Sequence, residues 1–600
     1  MGDLVAIFHA SFHPTRGNVI DWSVTASGDF NLDNLEFSAL PSGLHLVEQD
    51  IVYFSKDGHQ GVCAFRRVKS TEDGHRGFRL SSLGVLLAKS TRPKPWRHVA
   101  ALKDLMVMLY ARMELTETLQ PSETDWQPSR MYFESHESKS VDLGGAGDWC
   151  GWSHELDGEN RDRSNINPTL HLPHLLRILG PSTLTLYKHV IGRKRTLIYT
   201  LPPVEAACIL CHVAADFCYE QQVDTTSNRL PGKSKEGIQV LGMITLSDID
   251  RLQAESKSGR GWIACTTDAL FLERPSYYDL LIDLTTSTPN KATRPTFYSS
   301  EPILPTSRGP THRLSTVRFA WSDVKLWNEL DRILQLDSSN SHSSNFSCCT
   351  PGFSDVSDQK LGLITAWTDV WRVYEDVCLV CASLWIGSWR GNSIQSYSTS
   401  NGAENWGSIR LEGDDDLTLS TIAGNSERAQ IRSLGAGIEG RPLVSLPTNK
   451  PMRKTSGMFL GSGQNNRART SGTATRNSNT PQSSNTDAEV DQADAELLSS
   501  MESEREEMQL RTTLALLQTF HAHTSFQLSI LESLLPPPSE RSNNTINLVP
   551  KDILAFELGP FSSVDERYLE WLVTEYGGGT TLLIKRSWKD LLGVVFGYGC

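Results

Sequence analysis

The rhythm of apolar and polar positions changes several times along the chain, and each change predicts an element. Val5 to Phe8, Asn18 to Val24 and Ile51 to Phe54 are short apolar segments, and Ser55 to Gln60 is a turn leading into Gly61 to Val68. Asp57-Gly58 between two such runs signals a hairpin, because both residues tolerate the positive φ that a tight strand reversal needs. Phe78 to Ala88 reads as a further strand. Trp96 to Met113 then carries Val99, Leu102, Leu105, Met106, Leu109 and Met113 at helical spacing. Residues 1–114 are therefore expected to form a small sheet backed by a helix.

Periodicity fades over 115–165, which reads as a linker or surface insertion. A second unit, 166–285, opens near Asn167. Leu179 to Ile191 is apolar at helical spacing, Arg193-Lys194-Arg195 makes a basic turn, and Thr196 to Tyr199 is a short strand. Pro202-Pro203 starts the next helix, since proline fits the first helical turn. On that helix Val204, Ala207, Cys208, Cys211, Ala215 and Cys218 line one face with small side chains suited to packing on a sheet. IQVLGMITLSDIDRL reads as strand and turn, and GWIACTTDALFLERPSYYDLLIDL as strand, turn and strand. Residues 285–310 are a polar connection with five prolines.

Val317 to Leu336 and Leu361 to Ile386 have helical periodicity and together suggest a helical module over 311–390. Residues 391–493 are dominated by Ser, Gly, Asn and Thr and cannot bury enough to offset their ordering entropy. In 494–600, Leu510, Leu514, Leu517, His521, Thr524, Leu528, Leu531 and Leu535 make a heptad seam. It can dimerise or pack on the chain's own core. Pro536-Pro537-Pro538 ends it; a helical patch (Asp565 to Glu575), a glycine turn, a strand (Thr580 to Lys585) and a helix opening at Ser587 follow. The fold class is α/β and multi-domain, with long disordered insertions.

Charge changes this picture in two places. Asp487 to Glu507 holds nine acidic residues and one arginine, a net of −8 within the chain's −13, so the remainder is close to neutral. No broad basic surface is available for nucleic acid. From Arg441 to Thr486 seven Arg or Lys occur with no acidic residue, a tract that either contacts anionic lipid peripherally or serves as a solvated linker. The N-terminus lacks the cationic and apolar regions of a secretory signal, and the thirteen-residue run Val377 to Trp389 is too short to span a bilayer. A soluble cytoplasmic chain is expected, with eleven cysteines as reduced thiols.

Classical active-site chemistry is not visible. Cys208-Ile209-Leu210-Cys211-His212 matches a haem-attachment pattern and Cys378/Cys381 form a second CxxC, but both pairs sit on apolar helical segments and read as buried structural cysteines. His212 and Asp216, one turn apart, read as a surface pair. Pro231-Gly232-Lys233-Ser234 resembles the end of a phosphate-binding loop, yet Ser227 stands where the first glycine belongs and a strand follows. His171 and His174 lack carboxylates to complete a metal site. No catalytic, cofactor-binding or metal-binding residue is assigned.

Four stretches carry a resemblance: LVAIFHASFHPTRGNVIDWSV with DIVYFSKDGHQGVCAFRRV, LGPSTLTLYKHVIGRKRTLIYTLPPVEAACIL, GWIACTTDALFLERPSYYDLLIDL, and FELGPFSSVDERYLEWLVTEYGGGTTLLIKRSWKDLLGVVFGYG. They resemble DENN-domain proteins, in particular a fungal branch related to DENN domain-containing protein eleven and the late-secretory DENN proteins, over about half the chain. The resemblance implies a longin-like (uDENN) module, a central α/β (cDENN) module and a helical C-terminal (dDENN) module. It further implies guanine-nucleotide exchange on a Rab-family GTPase in membrane trafficking, with no cofactor, or alternatively a non-catalytic GTPase-binding scaffold. The GTPase is expected in the groove between the first two modules. Asp248, Asp250 and Asp268, near strand ends, are the candidate GTPase contacts, with capping or turn roles as the alternative.

Overall fold

The computed structural model describes residues 2–28, 30–70, 77–90, 92–115, 121–138, 151–156, 167–218, 238–286, 294–303, 312–317, 319–343, 486–537, 541 and 544–585. A continuous buried run forms β1 (Leu4–His13), the more exposed β2 (Gly17–Thr25) pairs with it, and the short helix α1 (Leu35–Ala39) follows. Then come β3 (Gln49–Lys56), β4 (His59–Lys69) and β5 (Phe78–Leu87). Asp57 and Gly58 both take positive φ in the β3–β4 turn, as the hairpin reading requires. Helix α2 (Val99–Leu115) buries the expected stripe from Val99 to Met113. Helices α3 (Gln127–His136) and α4 (Trp152–Leu156) lie inside the stretch read as linker or insertion.

Helices α5 (Leu172–Leu179) and α6 (Thr183–Ile191), strand β6 (Thr196–Tyr199) and helix α7 (Glu205–Ala215) form the second α/β unit with β7 (Gln239–Met243), β8 (Trp262–Thr266) and β9 (Leu280–Asp283). Two readings are corrected here. The segment after β7 is helix α8 (Ile249–Ser258) rather than a turn. The proline-containing connection 285–310 holds strand β10 (Thr296–Pro302), and the stretch read as a helical module from 311 opens with strand β11 (His312–Thr316). Beyond them lie α9 (Asp323–Ser343), α10 (Thr486–Leu534), β12 (Thr545–Leu548), α11 (Pro550–Ala555), α12 (Ser563–Tyr576) and β13 (Thr581–Ile584), with β12 and β13 paired parallel. Expectations for 361–386, 391–485, the basic tract as far as residue 485, Cys378/Cys381, Pro231 to Ser234 and the helix at Ser587 lie outside the described residues, whereas 486–493, the end of the stretch read as disordered, form the first turns of α10.

The two α/β units share one eleven-stranded sheet in the order β11-β10-β9-β6-β8-β7-β3-β4-β5-β1-β2. Strands β6 to β9 run parallel, while β3 meets β7 antiparallel through the single pair Phe54 and Gly242. Gly242 has φ +67°, and a Cβ there would stand 2.4 Å from the Tyr53 carbonyl oxygen, so the close approach demands glycine. Beside this seam the buried Asp50 carboxylate of β3 accepts from the backbone N–H of Val204 at 2.7 Å and of Glu205 at 3.2 Å. The start of α7 is thus capped by a residue of the other unit. On α7, Cys208 and Cys211 are buried, with Cys208 Sγ 3.5 Å from Cys265 Sγ of β8; burial raises all three thiols, as structural cysteines require.

The far end of α7 overturns the surface-pair reading of His212 and Asp216. Asp216 is buried and pairs with Arg92 Nη1 at 2.9 Å, while Thr169 Oγ1 donates to its other oxygen at 2.7 Å. Arg92 also reaches Glu155 of α4 at 3.4 Å, and Lys94 meets the same carboxylate at 2.5 Å. His521 Nε2 of α10 lies 2.9 Å from the Asp216 carbonyl oxygen. His212 instead packs edge-on to Tyr53 and Trp96. Helical spacing reveals that residues 212 and 216 share a side, but not that another element covers it.

Helix α10 packs on the chain's own core, one of the two uses expected of its seam. Leu510, Leu517 and Leu531 are buried, but so are Leu516 and Phe520, a wider face than a two-stranded coiled-coil seam. The C-terminal elements are locked by Lys188 of α6, whose buried ammonium lies 2.6 Å from Asp323 and 2.7 Å from Asp565. Ser322 Oγ and the Gly559 N–H complete the Asp565 carboxylate. Their attraction outweighs burial and holds the Lys188 ammonium above its ordinary pKa.

Burial pushes His189, His212 and His523 down to about 4. The unfolded chain binds protons on these imidazoles below about 6.5 while the folded chain stays neutral until about 4, so their contribution is lost as pH falls through that window. Thermal or urea unfolding between pH 6.5 and 4 should show wild type losing more stability than His212→Gln, by up to about 3 kcal/mol. Equal losses would contradict the burial of this imidazole.

Candidate functional site

Because β6, β7, β8 and β9 are parallel, their carboxyl ends open at one edge, the position where open α/β sheets present ligand and partner sites. The antiparallel β3 brings its amino end, and the loop before it, to the same edge. Ser42 in that loop donates its hydroxyl to Asp268 beyond β8, and a Cβ on Gly43 would stand 3.1 Å from the Pro202 ring beyond β6. Arg251 of α8 reaches back to the Ser55 carbonyl and donates to Ser55 Oγ at 3.0 Å. The edge is therefore built by both units and held by bonds between them.

The three acidic candidates fall on this edge in different states. Asp248 closes a capping box, accepting from the Thr245 N–H at 2.9 Å, and lies 3.6 Å from Arg251. Asp250 is exposed in the first turn of α8, where its charge suits the helix dipole. Asp268 is half-buried beneath Ser42, and burial lifts its carboxyl above the ordinary range against the pull of Ser42 and the Leu246 backbone. Leu246 and Leu270, 45% and 39% exposed, follow β7 and β8, and Leu46, 63% exposed, lies in the loop before β3. The surface is acidic and apolar, suited to a protein partner.

Residues 7–294 match the family model described as DENN domain-containing protein 11. Over this segment, just under half of the chain, the protein is similar to the DENN-domain family. Relatives include DENN domain-containing protein 11 of Danio rerio, 26% identical over 284 residues, covering 47% of this chain and 53% of the relative. The Rattus norvegicus protein of the same name is 24% identical over 299 residues, covering 47% and 57%. The uncharacterized protein ANR2 of Saccharomyces cerevisiae is 25% identical over 306 residues, covering 47% and 58%. The chain thus spans just over half the length of these curated relatives.

The DENN-matched segment contains both sheet halves from the middle of β1 to β9 and so includes the whole edge. Among the described residues, no group of three or more His, Cys, Asp or Glu side chains is placed to hold a metal ion, and no helix is long and apolar enough to cross a membrane. Sequence reasoning missed Ser42 and Asp50, which have no local signature, and Tyr199 and Asp283, which stand in register at the carboxyl ends of β6 and β9. Asp283 had a signal: it is the one charged residue in the otherwise apolar strand β9.

Asp248, just before α8, and Asp250, in its first turn, should separate by role. Asp248→Ala removes a cap and should cost about 1 kcal/mol in urea unfolding, whereas Asp250→Ala should change stability by no more than about 0.5 kcal/mol. Equal losses would remove the distinction between a capping and an available carboxylate.

Proposed function

We propose that this chain is a guanine-nucleotide exchange factor for a Rab-family GTPase in membrane trafficking. The observation that carries the reading is that one DENN-matched segment, 7–294, builds both sides of the edge where the two sheet halves meet. In this reading β1 to β5 with α2 are the longin-like module, β6 to β9 with α5 to α8 the central module, and the GTPase seats across their junction. Leu246 and Leu270 offer apolar contact, and Asp250 and Asp268 meet basic groups of the switch regions. Asp248 mainly fixes the start of α8.

Exchange needs no nucleophile or metal on this chain. A surface that binds the nucleotide-free GTPase more tightly than the loaded form weakens nucleotide binding by the same factor, and about 5.5 kcal/mol of preference corresponds to roughly 10⁴-fold. A second reading, a GTPase-binding scaffold without exchange, is favoured by one observation: two of the three acidic side chains already serve internal bonds.

Release of a fluorescent GDP analogue from a panel of purified Rab GTPases distinguishes them. At least tenfold acceleration for one member is expected, reduced about tenfold by Asp250→Arg. Binding without acceleration for any member would leave the scaffold reading and remove exchange.

A further inference from the structure

Asp283 and Tyr199 stand in register on the adjacent parallel strands β9 and β6, at their carboxyl ends, with Thr266 of β8 in the same row. In-register neighbours project from the same face, about 4.8 Å apart. Both side chains are wholly buried, yet Asp283 Oδ2 and the Tyr199 hydroxyl have no hydrogen-bond partner. Asp283 Oδ1 is spoken for, accepting from Thr285 N–H at 2.9 Å and Thr285 Oγ1 at 2.7 Å. Tyr199 feels two carboxylates, Asp283 on one side and Asp268 on the other. A polar row with an unmatched carboxylate oxygen is costly to keep, because a buried polar group without a partner loses its hydration for nothing.

We propose that Asp283 Oδ2 and the Tyr199 hydroxyl form a socket for a basic side chain of the protein partner, arginine above all, whose planar fork can donate to two neighbouring oxygens. The inference rests on the partner-binding reading of the carboxyl edge and adds the chemistry of one contact. Because both groups are closed to solvent, the incoming side chain displaces the Thr285–Thr286 turn that lies over the end of β9. Asp268, held by Ser42 one strand beyond Tyr199, extends the negative field to the exposed edge and draws the cation in.

The test uses the full chain. Asp283→Asn keeps the oxygen that accepts from Thr285 and removes the charge, and Tyr199→Phe removes only the hydroxyl, so both should unfold at or above the wild-type temperature. Two probes are applied: the nucleotide-free members of the Rab panel, and N-acetylarginine amide with neutral N-acetylcitrulline amide as control. Expected results are at least tenfold weaker GTPase binding by Asp283→Asn, or an arginine-specific rise in wild-type melting temperature that Asp283→Asn abolishes. Either supports the socket. Wild type and Asp283→Asn behaving alike with both probes overturns it. An arginine-specific shift without binding to any Rab keeps the socket and defeats the GTPase reading; Rab binding indifferent to Asp283, with no arginine shift, does the reverse.

Discussion

A carboxylate on one half of the sheet satisfies the free amides at the start of a helix on the other half, and the candidate surface depends on that contact. Asp50 accepts from Val204 and Glu205 where only one strand pair, Phe54 with Gly242, carries the sheet across the junction. A helix start left without a cap costs about 1 kcal/mol, and more when the orphan amides are buried. The junction has little else in its backbone to hold it: Gly242 lets the strands approach, and Gln60 donates to the Val240 carbonyl at 2.7 Å. Together with the Ser42–Asp268 and Arg251–Ser55 bonds and the core shared by both halves, these contacts keep the edge bearing Ser42, Asp250, Asp268 and Leu246 in place.

Two buried charge clusters then tie the rest of the chain to this frame. Around Asp216, groups from five separate stretches converge: Arg92, Glu155, Thr169, the end of α7 and His521. Around Lys188, α6 is joined to the starts of α9 and α12. Such clusters are weak evidence of net stability, since desolvation offsets much of the attraction, but removing one partner strands a buried charge. They make arrangement specific. The C-terminal elements, which lie outside the family-matched segment, are held by both clusters and pack against α5, α6 and the turn that follows α7.

Much of the frame was legible because its elements are amphipathic by themselves. The strands from Leu4 to Leu87, the stripe of α2 and the small-residue face of α7 each declare their period within a dozen residues. What was missed depended on distant partners. Helix α8 shows only Leu252 as a fully buried residue, so its polar run hid the helix that the Thr245 and Asp248 capping box announces. Strand β11 lies at the sheet edge with β10 inside it, and Pro295 and Pro302 stand just before β10 and at its last residue, where they cost the ladder little, so the proline content was misleading. His212 and Asp216 looked like a surface pair because the elements that bury them, at residues 92–96, 169 and 521, are far away in sequence. For the same reason Asp248, Asp250 and Asp268 could be named but not ranked. Their differing engagement follows from Thr245, Arg251 and Ser42.

In the proposed function the chain is a surface rather than a reaction centre, and binding energy at the carboxyl edge would be spent on a GTPase that has lost its nucleotide. Thermodynamic linkage would tie binding to release, since whatever the chain gains in affinity for the empty GTPase is what the nucleotide loses. The most direct measurement is therefore the dissociation constant of the full chain for its cognate Rab in the nucleotide-free state and in the GDP-loaded state. The account predicts at least a hundredfold preference for the empty form. Equal affinity for the two forms would contradict it.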